Sequence, residues 1–284
     1  MSFAARRLLK QFRREDYRKS VNHSFLHPNQ KVNIFKDTDQ YNQIYQTNSG
    51  QVVTIDPVKS PTSQILYFHG GAFTVPMNQD QLTMITTIAT AANSRIQVAD
   101  FPLLPNHRGA ELLEFAKQAL AYTVKQALPT FVVADSAGAA LGLQAVIQES
   151  AGVVGTVLIS PWLDMQLTDP QLTALESADV MLDLNVLKQI GGQFAAGLKP
   201  WDWADVFDPA HLNVGPLKIF YGENEFLTPI NEQFITAAKK AVNATVEVTR
   251  FKDGFHDYPL WAKLPETKKT VSQIAEFITS QRDA

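Results

Sequence analysis

Apolar residues along this chain fall into short unbroken runs, separated by longer segments whose apolar positions recur every three or four residues. The runs at 51–55, 64–68, 96–99, 130–134, 154–159, 216–221 and 245–251 are rich in Val, Ile, Leu and Phe and predict strands. The segments at 79–92, 108–127, 137–149, 230–241 and 266–281 carry helical periodicity or strong helix formers. Strands alternating with helices predict an α/β fold, with a mainly parallel sheet and helices on both faces. A Pro-containing turn too short for a crossover helix joins 51–55 to 64–68, so these two strands are expected to pair antiparallel.

Two stretches break the alternation. Residues 1–48 are polar and mixed, with little strand character before about 43. Residues 161–209 hold helical signals (Ala174 to Glu176, Leu184 to Phe194) and then Pro200-Trp201-Asp202-Trp203. Long insertions after a sheet strand are where lids over active sites occur. Residues 1–48 and 161–209 are therefore expected to form a helical cap over a core built from 49–160 and 210–284. Leu184, Leu187, Phe194, Trp201 and Trp203 are candidates either to line a pocket beneath the cap or to pack cap against core.

Composition narrows the chemistry. The 284 residues include no cysteine, which excludes disulfides, thiol catalysis and cysteine metal sites, and fits a cytoplasmic protein. No apolar run is long enough to span a bilayer, and the start of the chain lacks the apolar core of a secretory signal. The net charge is −3, yet residues 1–20 carry Arg6, Arg7, Lys10, Arg13, Arg14, Arg18 and Lys19 against Glu15 and Asp16. With Phe3, Leu8, Leu9 and Phe12 at near-helical spacing, this segment predicts a basic amphipathic helix. Its apolar stripe is expected to pack on the domain; contact with an anionic membrane surface is the sharper alternative. The acidity of the remainder argues against a nucleic-acid partner. The histidines show no metal-ligand spacing and no dinucleotide or Walker loop is present, so no metal or cofactor is expected.

The chemistry-bearing positions lie at predicted strand ends. Phe131-Val132-Val133-Ala134-Asp135-Ser136-Ala137-Gly138 reads as a buried strand, a sharp turn carrying a serine, and a small-residue helix start. Ala134 stands where the G-x-S-x-G pattern has its first glycine. Ile65 to Phe68 empties into His69-Gly70-Gly71-Ala72-Phe73, whose glycines allow backbone N–H groups to turn toward a developing oxyanion. A serine hydroxyl needs a base, and the base needs an orienting acid. Of the six histidines, His256 alone follows both Ser136 and a late strand, in the flexible loop Lys252-Asp253-Gly254-Phe255-His256-Asp257. The acid is expected after the strand Leu217 to Tyr221, where Glu223 and Glu225 both qualify by distance along the chain.

Taken together these pieces resemble the hormone-sensitive-lipase-like branch of the α/β-hydrolases. The resemblance rests on Tyr67 to Phe73, Asp135-Ser136-Ala137-Gly138, Leu158-Ile159-Ser160-Pro161-Trp162-Leu163-Asp164, Gly222-x-x-Glu225-x-Leu227 and Gly254-x-His256-Asp257, spanning roughly residues 60–280. It implies an α/β-hydrolase fold and selects Glu225 as the acid. It also implies oxyanion donors on the backbone N–H groups of Gly71, Ala72 and Ala137. Ala72 replaces a third glycine, a change that keeps the donor provided the backbone there does not require positive φ. The family's Tyr-Arg-Leu-Ala-Pro segment is replaced by Phe101-Pro102-Leu103-Leu104-Pro105, which implies altered scaffolding. The resemblance implies that His69 is structural and orients the glycine loop, and Asp164 is read as structural or pocket-lining.

The function implied is a serine carboxylesterase acting on short- to medium-chain acyl esters through Ser136, His256 and Glu225 and an acyl-enzyme. The alternatives are an amidase or peptidase on the same triad, or a non-catalytic binding protein on this fold. A small-molecule ester is the expected partner.

Overall fold

The computed structural model describes residues 1–35 and 43–284. Along β5 (Thr130–Asp135) Phe131 and Val133 enter one hydrophobic layer while Val132 and Ala134 enter the other, and all are fully buried. A strand buried on both faces reads as an unbroken apolar run, which is why this one stands out in the sequence. The same division holds along β3 (Ser63–Phe68), with Ile65 and Tyr67 opposite Leu66 and Phe68. α3 (Gln79–Ala91) and α9 (Pro265–Arg282) cover the first layer. α4 (Gly109–Val124), α5 (Ser136–Gln148) and α8 (Thr228–Ala238) cover the second.

The sheet is completed by β1 (Gln43–Gln46), β2 (Gln51–Ile55), β4 (Ser94–Asp100), β6 (Val153–Ile159), β7 (Gly215–Gly222) and β8 (Ala244–Phe251). Among the described residues the strand order is β1-β2-β4-β3-β5-β6-β7-β8. The pairs from β4 to β8 are all parallel. The expected α/β-hydrolase architecture is therefore present. The expected pairing of 51–55 with 64–68 is not. β2 runs antiparallel to β4, with Val52 opposite Ala99, and β3 lies on the far side of β4. The connection 56–62 needs to step across only two strand spacings, about 10 Å, which seven extended residues span easily. The short turn therefore fixed the relative direction of the strands and left their adjacency open.

The segment 161–209 contains α6 (Gln171–Glu176) and α7 (Leu184–Ala195), and the N-terminal stretch contains α1 (Phe3–Arg14) and α2 (Tyr17–Leu26). The part of the 1–48 expectation that concerns residues 36–42 lies outside the described residues. In α1 the stripe turns inward through Ala5, Leu9 and Phe12, whereas Phe3 is 76% exposed. Phe12 stacks on Tyr17 and meets Phe255 and Trp261 edge-on. The Arg18 guanidinium donates to the carbonyl oxygens of Glu176 and Asp179, tying the two stretches together. No helix among the described residues is long and apolar enough to cross a membrane.

Close approach of backbones sets the small-residue pattern around the serine. A Cβ on Gly138 would lie 2.3 Å from the Phe68 carbonyl oxygen, so α5 meets β3 there only through glycine. One turn on, Gly142 leaves the space into which the Ala134 methyl fits, 3.2 Å from where a Cβ would stand. That complementarity explains how alanine replaces the glycine of the usual turn pattern. Gly138→Ala should lower stability by about 1–3 kcal/mol, read as a reduced midpoint in urea unfolding. An unchanged midpoint would contradict the packing described.

Candidate active site

The parallel strands β3, β5, β6, β7 and β8 deliver their C-terminal ends to one edge of the sheet, where open α/β sheets place their ligands. Ser136 follows β5 directly, at φ +49°, a left-handed conformation rarely adopted outside glycine. Its Oγ lies 2.8 Å from His256 Nε2, and His256 Nδ1 lies 2.9 Å from Glu225 Oε2. All three are at least nine-tenths buried. The structure therefore brings Ser136, His256 and Glu225 together in one hydrogen-bonded chain. Glu223 is exposed and belongs to no such contact.

Glu225 is held on every side. Its Oε1 accepts the Ser160 hydroxyl at 2.7 Å and the Gly222 N–H at 2.5 Å. Ser160 Oγ also accepts the Asp257 N–H at 3.0 Å, so one hydroxyl links the ends of β6 and β7 to the histidine loop. Sequence reasoning passed over this serine. The signal was its place in Ile159-Ser160-Pro161, at the end of a strand neighbouring the acid's strand. Asp179, also missed, accepts the Met181, Leu182 and Phe226 N–H groups and so fastens the 161–209 segment beside Glu225. Asp164 turns its carboxyl onto the amides of Gln166 and Thr168.

The His69–Phe73 loop is anchored through Asp135. That carboxylate accepts the Tyr67 hydroxyl at 2.5 Å, the Gly70 N–H at 2.9 Å and the Gln81 side-chain amide at 3.0 Å. Burial still pushes its pKa above the usual range. Gly71, Ala72 and Phe73 all have positive φ, at +119°, +52° and +60°. Ala72 thus occupies the conformation its sequence reading required it to avoid, at a cost of about 1–2 kcal/mol for a non-glycine residue. The loop holds it there: Thr74 and Val75 N–H both donate to the Gly71 carbonyl, and Leu104 N–H donates to the Phe73 carbonyl. The Gly71 and Ala72 amides take no protein acceptor among the described residues. Ala137, in the first turn of α5, has an N–H that no helical carbonyl can reach. His69 stacks on Phe101 at 4.4 Å and its Nδ1–H meets the Gly70 carbonyl at 2.6 Å. Burial draws its pKa down to about 4, so it is neutral scaffolding.

A cavity of about 160 Å³ opens at Ser136 and His256. Gly70 and Gly71 form part of its wall, with Tyr17, Val21 and Phe25 of α2 and Met181 and Leu182 of the 161–209 segment. The aromatic and leucine candidates named from that segment do not line it. Phe194 instead stacks on Phe73 at 4.4 Å and meets Trp203 edge-on, buttressing the glycine loop, while Trp201 is 73% exposed. Leu184 and Leu187 are buried in the core.

Burial alone would depress the His256 pKa, but the Asp257 charge, the Glu225 hydrogen bond and charge, and Asp179 together carry it up to about 9. Asp257 is itself pushed well above the carboxylate range, first by burial and then by the charges of Asp135 and Glu225.

A buried acid–base–hydroxyl chain at strand ends, beside a loop with free backbone amides, defines the α/β-hydrolase class of site. Residues 65–260 match the protein family described as the alpha/beta hydrolase fold, and the chain belongs to that family. It is similar to an esterase of Acinetobacter venetianus, 28% identical over 243 residues that cover 78% of this chain and 76% of that one. It is also similar to the esterase LipU of Mycobacterium tuberculosis, 24% identical over 78% of this chain and 79% of that one. A crystal structure of an esterase from the bacterial hormone-sensitive lipase family superposes with a TM-score of 0.80, at 20% identity and 99% coverage of both chains.

The raised value predicts that the His256 imidazole titrates near 9, against the ordinary 6.5, when followed by NMR of its ring protons. Glu225→Gln should move that titration downward, because it removes a charge that favours the imidazolium. A titration at or below 6.5 in the unaltered protein would contradict the electrostatics described.

Proposed function

We propose that the protein is a serine carboxylesterase that hydrolyses short- to medium-chain acyl esters. The observation that carries the reading is the continuous chain from Ser136 Oγ through His256 to Glu225, at 2.8 and 2.9 Å. Glu225 orients the imidazole and offsets the charge it gains. His256 Nε2 takes the Ser136 proton as Oγ attacks the acyl carbon. The amides of Gly71, Ala72 and Ala137 receive the oxyanion, and each such donor contributes on the order of 100- to 1,000-fold in rate. His256 then protonates the departing alcohol, and a water repeats the sequence to release the acid from the acyl-enzyme.

The helices of residues 1–35 together with 161–209 act as a cap in this reading. Their support is direct contact: α2 contributes Tyr17, Val21 and Phe25 to the wall of the cavity, opposite Met181 and Leu182. A cavity of about 160 Å³ favours small acyl groups over long chains.

Turnover of p-nitrophenyl acetate, butyrate, octanoate and palmitate tests the proposal. Activity should peak at short chains and fall by about a thousandfold or more in Ser136→Ala. Because the base acts only when deprotonated, kcat/KM should rise with pH from neutrality and level off above about 9. Equal activity in Ser136→Ala, or turnover of matched amides in preference to esters, would overturn the reading.

A further inference from the structure

Asp257 is a buried titratable group at this cavity that the proposed mechanism leaves unused. It is 5% exposed and lies at φ +49°, a left-handed position where a side chain carries a strain cost. Its Oδ2 stands 3.3 Å from His256 Nε2, on the side of the imidazole from which a leaving group is protonated. Its Oδ1 is buried with no hydrogen-bond partner, a costly condition for a carboxyl. Asp257 is also among the residues that line the cavity together with Ser136.

Apart from His256, the charged groups close to Asp257 are carboxyls. Asp135, Asp179, Glu225 and Asp257 are all buried around His256, and Asp80 lies at the same cavity wall. No lysine or arginine is found among the residues that line the cavity. Burial disfavours the charged form of Asp257, and a cation entering this low-dielectric cleft beside it favours the carboxylate and is held by it. Tyr17, Phe25 and Trp261 at the wall add ring faces, which also attract an ammonium group.

Building on the esterase reading, we propose that Asp257 is the recognition group for a cationic leaving alcohol, so that the preferred substrates are esters of amino alcohols. An ammonium beside Asp257 gives its Oδ1 the partner that atom lacks. It also supplies a positive charge close to the imidazole. That charge disfavours the imidazolium and returns His256 to the neutral form the reaction needs. A neutral ester provides neither effect.

The test uses an isosteric pair: 2-(dimethylamino)ethyl butyrate, protonated at neutral pH, and 3-methylbutyl butyrate, which replaces the nitrogen with carbon. The wild-type protein should favour the amino ester by about tenfold or more in kcat/KM. Asp257→Asn and Asp257→Gly should each collapse that ratio toward one; glycine suits the left-handed backbone and guards against a folding artefact. The ratio is taken within each variant, so a general loss of activity does not affect it. Calorimetric binding of both esters to Ser136→Ala gives a second readout that needs no turnover. Equal use or equal binding of the pair by otherwise active enzyme overturns the proposal, as does a preference that survives both substitutions. Loss of hydrolysis of every ester with the binding preference intact would instead overturn the esterase reading and leave the ammonium site standing.

Discussion

The Glu225 carboxylate is the junction on which the arrangement depends. It is a fully buried group whose oxygens are taken by Ser160, the Gly222 amide and His256 Nδ1. A buried carboxylate is tolerated only when its oxygens are satisfied, and removing one partner leaves an uncompensated cost. Each partner comes from a different part of the sheet: Ser160 from the end of β6, Gly222 from the end of β7, and His256 from the loop after β8. Parallel pairing brings those ends to the same edge, with Ile159 opposite Phe220 and Gly222 opposite Phe251. The geometry of the imidazole is therefore a consequence of sheet register, made specific by a few short hydrogen bonds.

The opposite half of the site is organised by a second buried carboxylate. Asp135 joins the turn carrying Ser136 to the glycine loop through Gly70, and reaches α3 through Gln81. Three consecutive residues of positive φ persist in that loop because the Gly71 carbonyl accepts the Thr74 and Val75 N–H groups and the Phe73 carbonyl accepts the Leu104 N–H. Gln30 adds side-chain donation to the carbonyls of Thr74 and Leu104, and Phe194 supplies a ring against Phe73. Strain at the candidate site is thus supported by packing from two segments remote in sequence. Those same two segments contribute Tyr17, Val21, Phe25, Met181 and Leu182 to the cavity wall.

Much of this was legible in the sequence because its signals are local. The buried runs, the small residues after Ser136 and the chain order of serine, acid and histidine each follow from nearby steric demands. The choice between Glu223 and Glu225 needed resemblance, since both follow the same strand; the turn from Gly222 exposes the first and buries the second. The adjacency of β2 and β4 was not legible, because turn length limits direction but not neighbours. Ser160, Asp179 and Asp257 were missed for a common reason. Their roles arise from contacts to residues far along the chain, which the strand-end position of Ser160 and the place of Asp257 beside His256 do not reveal. Ala72 shows the converse: its backbone conformation is imposed by the loop against its own preference.

The claim that Ser136 is activated by His256 within this chain is tested most directly by intact-protein mass spectrometry after reaction with a fluorophosphonate. A single phosphonyl adduct should form, map to the peptide containing Ser136, and be lost or greatly slowed in His256→Ala. Absence of the adduct from folded wild-type protein, its location on another residue, or undiminished labelling of His256→Ala would contradict the account.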